Sequence, residues 1–226
     1  MRIAVLTGAG ISAESGLRTF RATDGLWEEH RIEDVATPEG FLRDAVRVHR
    51  FYNRRRGDAA RALPNAAHRA LALLARHHDV TLITQNVDDL HERGGSPAVI
   101  HMHGSLLGAL CAACGHRWSA TLIMRPATPC PACGAPACRP DVVWFGEIPY
   151  HLDRVLEAVE GAELFAAIGT SGQVWPAAGL ARHARRSGAH TVELNLAASA
   201  VSGDFAEHRT GPATVTVPEW VAELLG

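Results

Sequence analysis

At 226 residues the chain is the size of one large domain, or of one domain carrying a smaller insert. Apolar residues make up 47% and charged residues 20%, which excludes a disordered chain, a fibrous repeat and a disulfide-dense miniprotein. With 22 basic against 24 acidic side chains, the net charge of -2 offers no broad positive field for a nucleic-acid backbone.

The segment Met1 to Thr7 has the apolar pattern of a strand, and Ile3 to Leu6 is too short for a signal-peptide core before Gly8 interrupts it. No apolar run approaches the ~18 residues of a membrane-spanning helix. Gly8-Ala9-Gly10-Ile11-Ser12 follows directly. Strand, glycine turn and helix start form the order of a phosphate cradle, where glycines let the backbone approach a pyrophosphate and the helix start presents unpaired N–H groups. No acidic residue is clearly placed for the ribose about twenty residues on, so an ordinary oxidoreductase fingerprint fits badly.

Thr37-Pro38 reads as an N-cap and first helical position, opening a helix that runs through Phe41, Val48, Phe51 and Tyr52. Asn65 caps a second helix with Leu71, Leu73 and Leu74 on its buried side. Asp79 to Thr84 is β-rich and ends at Gln85-Asn86-Val87-Asp88. Polar side chains just past a strand's carboxyl end stand where open α/β sheets bind ligands, although turn formation would also account for them. Ala98 to Met102 predicts another strand ending at His103-Gly104. Leu152, Val155, Leu156 and Val159 recur at helical spacing, Leu164 to Ile168 is a buried strand stopping at Gly169-Thr170-Ser171, and Pro176 opens a helix. Thr191 to Leu194 predicts a further strand and Pro218 a terminal helix. This alternation predicts an α/β fold, a Rossmann-like parallel sheet covered on both faces.

Residues 107–139 interrupt that pattern with Pro, Gly and cysteine. Cys111-x2-Cys114 and Cys130-x2-Cys133, fifteen residues apart, have the spacing of two knuckles that hold one tetrahedral Zn²⁺. Four thiolates leave no open position, so the metal is structural. Cysteine pairs in a chain without a secretion signal point to a reducing, cytoplasmic setting. Cys138 is left over and reads as a buried small hydrophobe. The stretch 111–133 carries only Arg117 and Arg125 as basic residues, too few for a nucleic-acid-reading ribbon.

Taken in order, Gly8-Ala9-Gly10-Ile11-Ser12, Gln85-Asn86-Val87-Asp88, His103-Gly104, the four cysteines and Gly169-Thr170-Ser171 resemble the sirtuins, NAD-dependent protein lysine deacylases, over essentially the whole chain. The resemblance extends to the desuccinylase-type class III branch and its short bacterial, CobB-like members. It rests there on Gly16-Leu17-Arg18-Thr19-Phe20-Arg21 and on Tyr52 with Arg55. Other branches have Pro-Asp where this chain has Arg18-Thr19, so the detail of that loop differs. The family's architecture implies a Rossmann-like part at 1–30, 79–106 and 140–226, a helical insertion at about 31–78 and an inserted small zinc-ribbon domain at about 107–139.

The resemblance implies removal of acetyl, succinyl and malonyl groups from lysines of other proteins, giving nicotinamide, O-acyl-ADP-ribose and free lysine. His103 is then the base, in the pH range that suits histidine; His101 lies two residues earlier on the same strand. Asn86 and Asp88 hold the nicotinamide ribose region and Gln85 its hydroxyls. Gly8, Ala9, Gly10 and Ser12 cradle the pyrophosphate, and Phe20 and Arg21 cover the nicotinamide side. Gly169, Thr170 and Ser171 meet phosphate or ribose, Asn195 and Leu196 the adenosine side, and Ala213 the adenine.

Tyr52 and Arg55, at i and i+3, share one helix face and can reach one acyl carboxylate, the arginine bidentately. A solvated face at Arg54 to Arg56 with Tyr52 as core is the plainer alternative. Val143, Phe145, Gly146 and Glu147 resemble the segment that pairs with substrate backbone, unless they form a simple buried strand; Trp144 alternates with Val143 and Phe145, so one face must be core. Two further readings stay open, a catalytically silent NAD or ADP-ribose sensor and a mono-ADP-ribosyltransferase. A monomer without nucleic-acid or membrane partners is expected. Every basic residue is arginine. Codon composition explains this, and the alternative is that a deacylase without lysine cannot be its own substrate.

Overall fold

The computed structural model describes residues 1–18, 26–27 (backbone only) and 30–226. Its centre is a six-stranded sheet in which every neighbouring pair is parallel. The order is Glu207–Thr210, His190–Asn195, Leu164–Ile168, Arg2–Thr7, Asp79–Thr84, Ile100–His101.

Arg2–Thr7 shows why it holds a central position. Ile3 and Val5 face one side and Ala4 and Leu6 the other, and all four are buried. A strand buried on both faces reads as a continuous apolar run. On one face Ile3, Val5, Leu82 and Val192 pack with Leu71 and Leu74 of the helix Ala66–His77 and Val217, Trp220 and Val221 of the helix Ala213–Leu225. On the other, Ala4, Leu6, Ile83 and Phe165 meet Val155 and Val159 of Leu152–Glu160 and Leu180, Ala181 and Ala184 of Leu180–Arg186.

The helix Ala66–His77 therefore covers the sheet and does not belong with the helical insertion in which the sequence reading grouped it. Packing decides this, because its Leu71 and Leu74 face the same cluster as Ile3 and Val5. The predicted helix from Thr37 to Tyr52 is also two helices, Pro38–Arg43 and Ala45–Arg61, parted at Asp44. Asp44 leaves helical geometry (φ -152, ψ 75) and its side chain accepts from Arg47 N, so an N-capping residue won over continued apolar spacing. The edge strand is only Ile100–His101. The terminal helix begins at Ala213, five residues before the proline expected to open it.

A second, antiparallel sheet orders Arg117–Ser119, Gly104–Cys111 and Cys138–Val142. A small core of Val48, Phe51, Tyr52, Val87, Leu106, Val142 and Trp144 joins the helix Ala45–Arg61 to this sheet. Among the described residues, no helix is long and apolar enough to cross a membrane.

Candidate active site

The chain leaves Arg2–Thr7 first toward Asp79–Thr84 on one side and later returns to Leu164–Ile168 on the other. Register puts Thr7 opposite both Thr84 and Ile168, so Gly8, Gln85 and Gly169 emerge together at the carboxyl edge. That is the switch-point crevice of an open α/β sheet. A cleft of about 360 Å³ opens there, lined among others by Gly8, Gly10, Arg55, Asn86, His103 and Thr170.

Backbone contact between two loops sets the floor of this cleft. Gly8 N donates to Ile168 O (2.9 Å) and Gly10 N to Gly169 O (2.8 Å). A Cβ on Gly10 would stand 2.7 Å from Gly169 Cα, and Gly169 itself has φ +62. Only glycine at these positions lets the loops close. The helix that follows is a single turn, Gly10–Ala13. Gln85 Nε2 reaches across to Thr170 Oγ1 (3.0 Å), and Asn195 Nδ2 donates to Thr170 O (2.8 Å).

Beneath the cleft, Ser12 is buried in a polar knot. Its hydroxyl accepts from Asn86 Nδ2 (3.1 Å), donates to Asp88 Oδ2 (3.3 Å) and lies 3.4 Å from His68 Nε2. His68 Nδ1 in turn lies 2.9 Å from Asn65 Oδ1 and 3.3 Å from Asn65 N, so the ring bridges the Asn65 cap and Ser12. Burial pushes Asp88 above the usual carboxylate range.

His103 lines the cleft, whereas His101 faces away to Asn86 O (3.1 Å) and Glu92 Oε1 (2.7 Å). Burial lowers the His103 pKa to about 4 even though a hydrogen bond to the Gln85 backbone favours its charge. The ring is thus neutral near pH 7. At His101 burial also opposes the charge, but Glu92 outweighs it and the net shift is upward.

Arg55 lines the cleft as well, on the helix Ala45–Arg61. Tyr52 is fully buried behind it and its oxygen accepts from Trp144 Nε1 (2.9 Å); burial pushes the phenol up to about 12. Val143, Phe145, Gly146 and Glu147 form part of the opposite wall. The Glu147 carboxylate serves the fold, since it accepts from Arg139 (2.6 and 2.9 Å) and from Trp144 N (2.8 Å). Trp144 supplies the buried face that alternation demanded, at 2% exposure, with the Arg139 guanidinium 3.6 Å over its ring.

In the ribbon, the four sulfurs of Cys111, Cys114, Cys130 and Cys133 lie within 4.8 Å of one another. Cys111–Cys133 and Cys114–Cys130 are each 3.8 Å apart, the sulfur spacing that tetrahedral Zn–S bonds of ~2.3 Å require. The knuckles match: Gly115 N donates to Cys111 O and Gly134 N to Cys130 O, both glycines at φ +73. The donor set fits one Zn²⁺. Cys138 lies apart in a small apolar cluster, its thiol pushed up to about 11 by burial.

A model of the Sir2 family matches residues 8–176. The "NAD-dependent protein deacylase" of Escherichia coli strain K12 is 56% identical over 99% of this chain and 82% of its own length. Its namesake in Vibrio cholerae is 54% identical over 99% and 93%. The chain belongs to the Sir2 family. A solved Sir2 homologue–NAD complex superposes with a TM-score of 0.91 at 40% identity, covering 99% of this chain and 89% of that one. A Sir2–p53 peptide–NAD⁺ complex gives 0.80 at 28% identity, covering 99% and 91%.

Within this Sir2 fold the cleft gathers Gly8, Ala9, Gly10, Ser12, Gln85, Asn86, Asp88, His103, Gly169, Thr170, Ser171 and Asn195, as the sequence reading grouped them. Leu196 is exposed outside the lining, and Ala213 is packed in the core under the sheet. Phe20 and Arg21 lie outside the described residues. Arg18 and Trp175 also line the cleft, and no motif in the sequence points to a role for either. His68 was missed too, although its place three residues after the capping Asn65 was visible in the sequence.

Proposed function

We propose that this Sir2 protein removes acyl groups from lysine side chains of other proteins in an NAD-dependent reaction, acidic acyl groups such as succinyl included. The carrying observation is the meeting, in one cleft, of a glycine floor, a polar wall from Asn86 and Asp88, a neutral histidine and an arginine.

NAD, held in this cleft, would supply the ribose carbon at which the acyl oxygen displaces nicotinamide. The glycine floor at Gly8, Gly10 and Gly169 is the surface on which backbone amides can meet its pyrophosphate. Asn86 and Asp88, tied together through Ser12, are oriented for the ribose nearest the reacting carbon. His103 takes a proton from a ribose hydroxyl at a ring nitrogen; being neutral near pH 7, it needs no prior deprotonation. Arg55 receives the terminal carboxylate of an acidic acyl group, and Tyr52 backs it. Val143 to Glu147 take the substrate backbone, and one Zn²⁺ on Cys111, Cys114, Cys130 and Cys133 holds the ribbon.

The test incubates the protein with NAD and matched acetyl- and succinyl-lysine peptides, following peptide mass and nicotinamide release. His103→Ala is expected to abolish both removals, and Arg55→Met to collapse the succinyl-to-acetyl ratio by about tenfold or more. NAD binding without loss of either acyl group overturns the reading and leaves a sensor.

A further inference from the structure

The helix Ala45–Arg61 has a second working face. Arg55 lines the cleft, whereas His49, Asn53 and Arg56 stand toward the zinc ribbon and its strands at the i, i+4, i+7 spacing of one stripe. Asn53 grips the loop between the two knuckles at both backbone atoms of one residue. Its Nδ2 donates to Met124 O (2.9 Å) and its Oδ1 accepts from Met124 N (2.9 Å). Arg56 Nη1 donates to the same Oδ1 (2.7 Å), so a flipped amide would set an NH₂ against two donors. Arg56 Nε donates to Leu106 O (2.7 Å) in the strand Gly104–Cys111. His49 Nε2 lies 3.0 Å from Cys138 O in the strand Cys138–Val142.

Arg56 is an expensive way to make such contacts. It is 4% exposed, forms no ion pair among the described residues, and its Nη2 has no hydrogen-bond partner there. A buried cation without a counter-charge lowers stability unless its hydrogen bonds offset the burial, and here those bonds run to Asn53 and to Leu106. The ribbon residues 107–139 do not line the cleft. What they touch is the helix that carries Arg55.

We propose that Asn53 and Arg56 are positioning residues through which the zinc ribbon fixes the helix Ala45–Arg61, so that the ribbon governs selection of acidic acyl groups without touching them. This rests on the reading of Arg55 as the carboxylate receiver. Tyr52 and Asn53 are adjacent, as are Arg55 and Arg56, so a small rotation or slide of this helix moves the guanidinium of Arg55 off its ligand. An acetyl group, which has no carboxylate, does not register that displacement.

The experiment measures kcat and KM for acetyl- and succinyl-lysine peptides with Asn53→Ala, Arg56→Met and Arg55→Met. Zinc content and melting temperature are determined on each. Asn53→Asp, which keeps the acceptor for Met124 N and Arg56 but loses the donor to Met124 O, is a milder variant should Asn53→Ala fold poorly. The expected result at Asn53 and Arg56 is a succinyl KM raised about tenfold, while kcat and the acetyl KM stay within about twofold and zinc stays bound. Equal losses on both peptides overturn the proposal, as do unchanged kinetics while Arg55→Met loses succinyl removal. If Arg55→Met itself leaves the succinyl-to-acetyl ratio intact, the carboxylate-receiver reading fails and takes this proposal with it.

Discussion

Gly10 has no room for a methyl group. Its missing Cβ would sit 2.7 Å from Gly169 Cα and 2.8 Å from Gly169 O, and both neighbours are backbone that cannot swing aside. Gly10→Ala must therefore part the two loops that floor the cleft. A destabilisation of about 1–3 kcal/mol is expected, together with weakened NAD binding by calorimetric titration. Gly203→Ala, with nothing within 4 Å, serves as the control and should change melting by little; wild-type NAD affinity in Gly10→Ala would refute the packing argument. The glycine pair was legible in the sequence as a turn that admits a pyrophosphate. Its nearer cause, contact with Gly169, was not, because only the parallel register brings those loops together. Tyr52 carries the same lesson. Its spacing from Arg55 could be read, but the indole of Trp144 that engages its hydroxyl comes from a distant segment.

At the scale of elements, caps were legible where a side chain acts on its own neighbours. Asn65 is an N-cap by sequence, and it accepts from Ala67 N (3.0 Å) at the start of Ala66–His77. Its other atom does something no local rule foresees: Nδ2 donates to Ile11 O (2.8 Å) and Ser15 Oγ (3.0 Å), tying the helix to the glycine loop. These two jobs can be separated. Asn65→Ala loses both and should cost about 1–2 kcal/mol. Asn65→Asp keeps the cap but loses the donors, so it should melt near wild type while its KM for NAD rises; a KM unchanged in both variants would show that the loop does not depend on this tie. Local rules failed where tertiary packing opposed them. Pro218 signalled a helix start, yet the helix already runs from Ala213, because burying Val217, Trp220 and Val221 against the sheet outweighs one lost backbone hydrogen bond.

Across the whole molecule, the polar layer under the cleft makes acid the weak direction. Burial lowers His68 and His103 to about 4 and His91 well below its ordinary value. In the unfolded chain all three titrate near 6.5. Between those values the unfolded chain holds protons that the folded one refuses, so stability rises with pH there and is lost as pH falls from about 6.5 toward 4. At pH 5, His68 and His103 each account for a loss on the order of 2 kcal/mol. Glu147 and Glu193, held below the carboxylate range despite their burial by hydrogen bonds that include Arg139 and Ser199 respectively, extend the loss to lower pH. His101, shifted upward, opposes it, since its contribution is present below pH 6.5 and fades as pH rises through its folded value. The net expectation is a denaturant midpoint that drops steeply between pH 7 and pH 5. His68→Gln should flatten that drop while lowering stability at pH 7, where the neutral ring holds Asn65 and Ser12. A midpoint that stays level from pH 7 to pH 5 would mean that these rings take up protons in the folded state as readily as in the unfolded one, and burial would then not be what keeps His103 neutral.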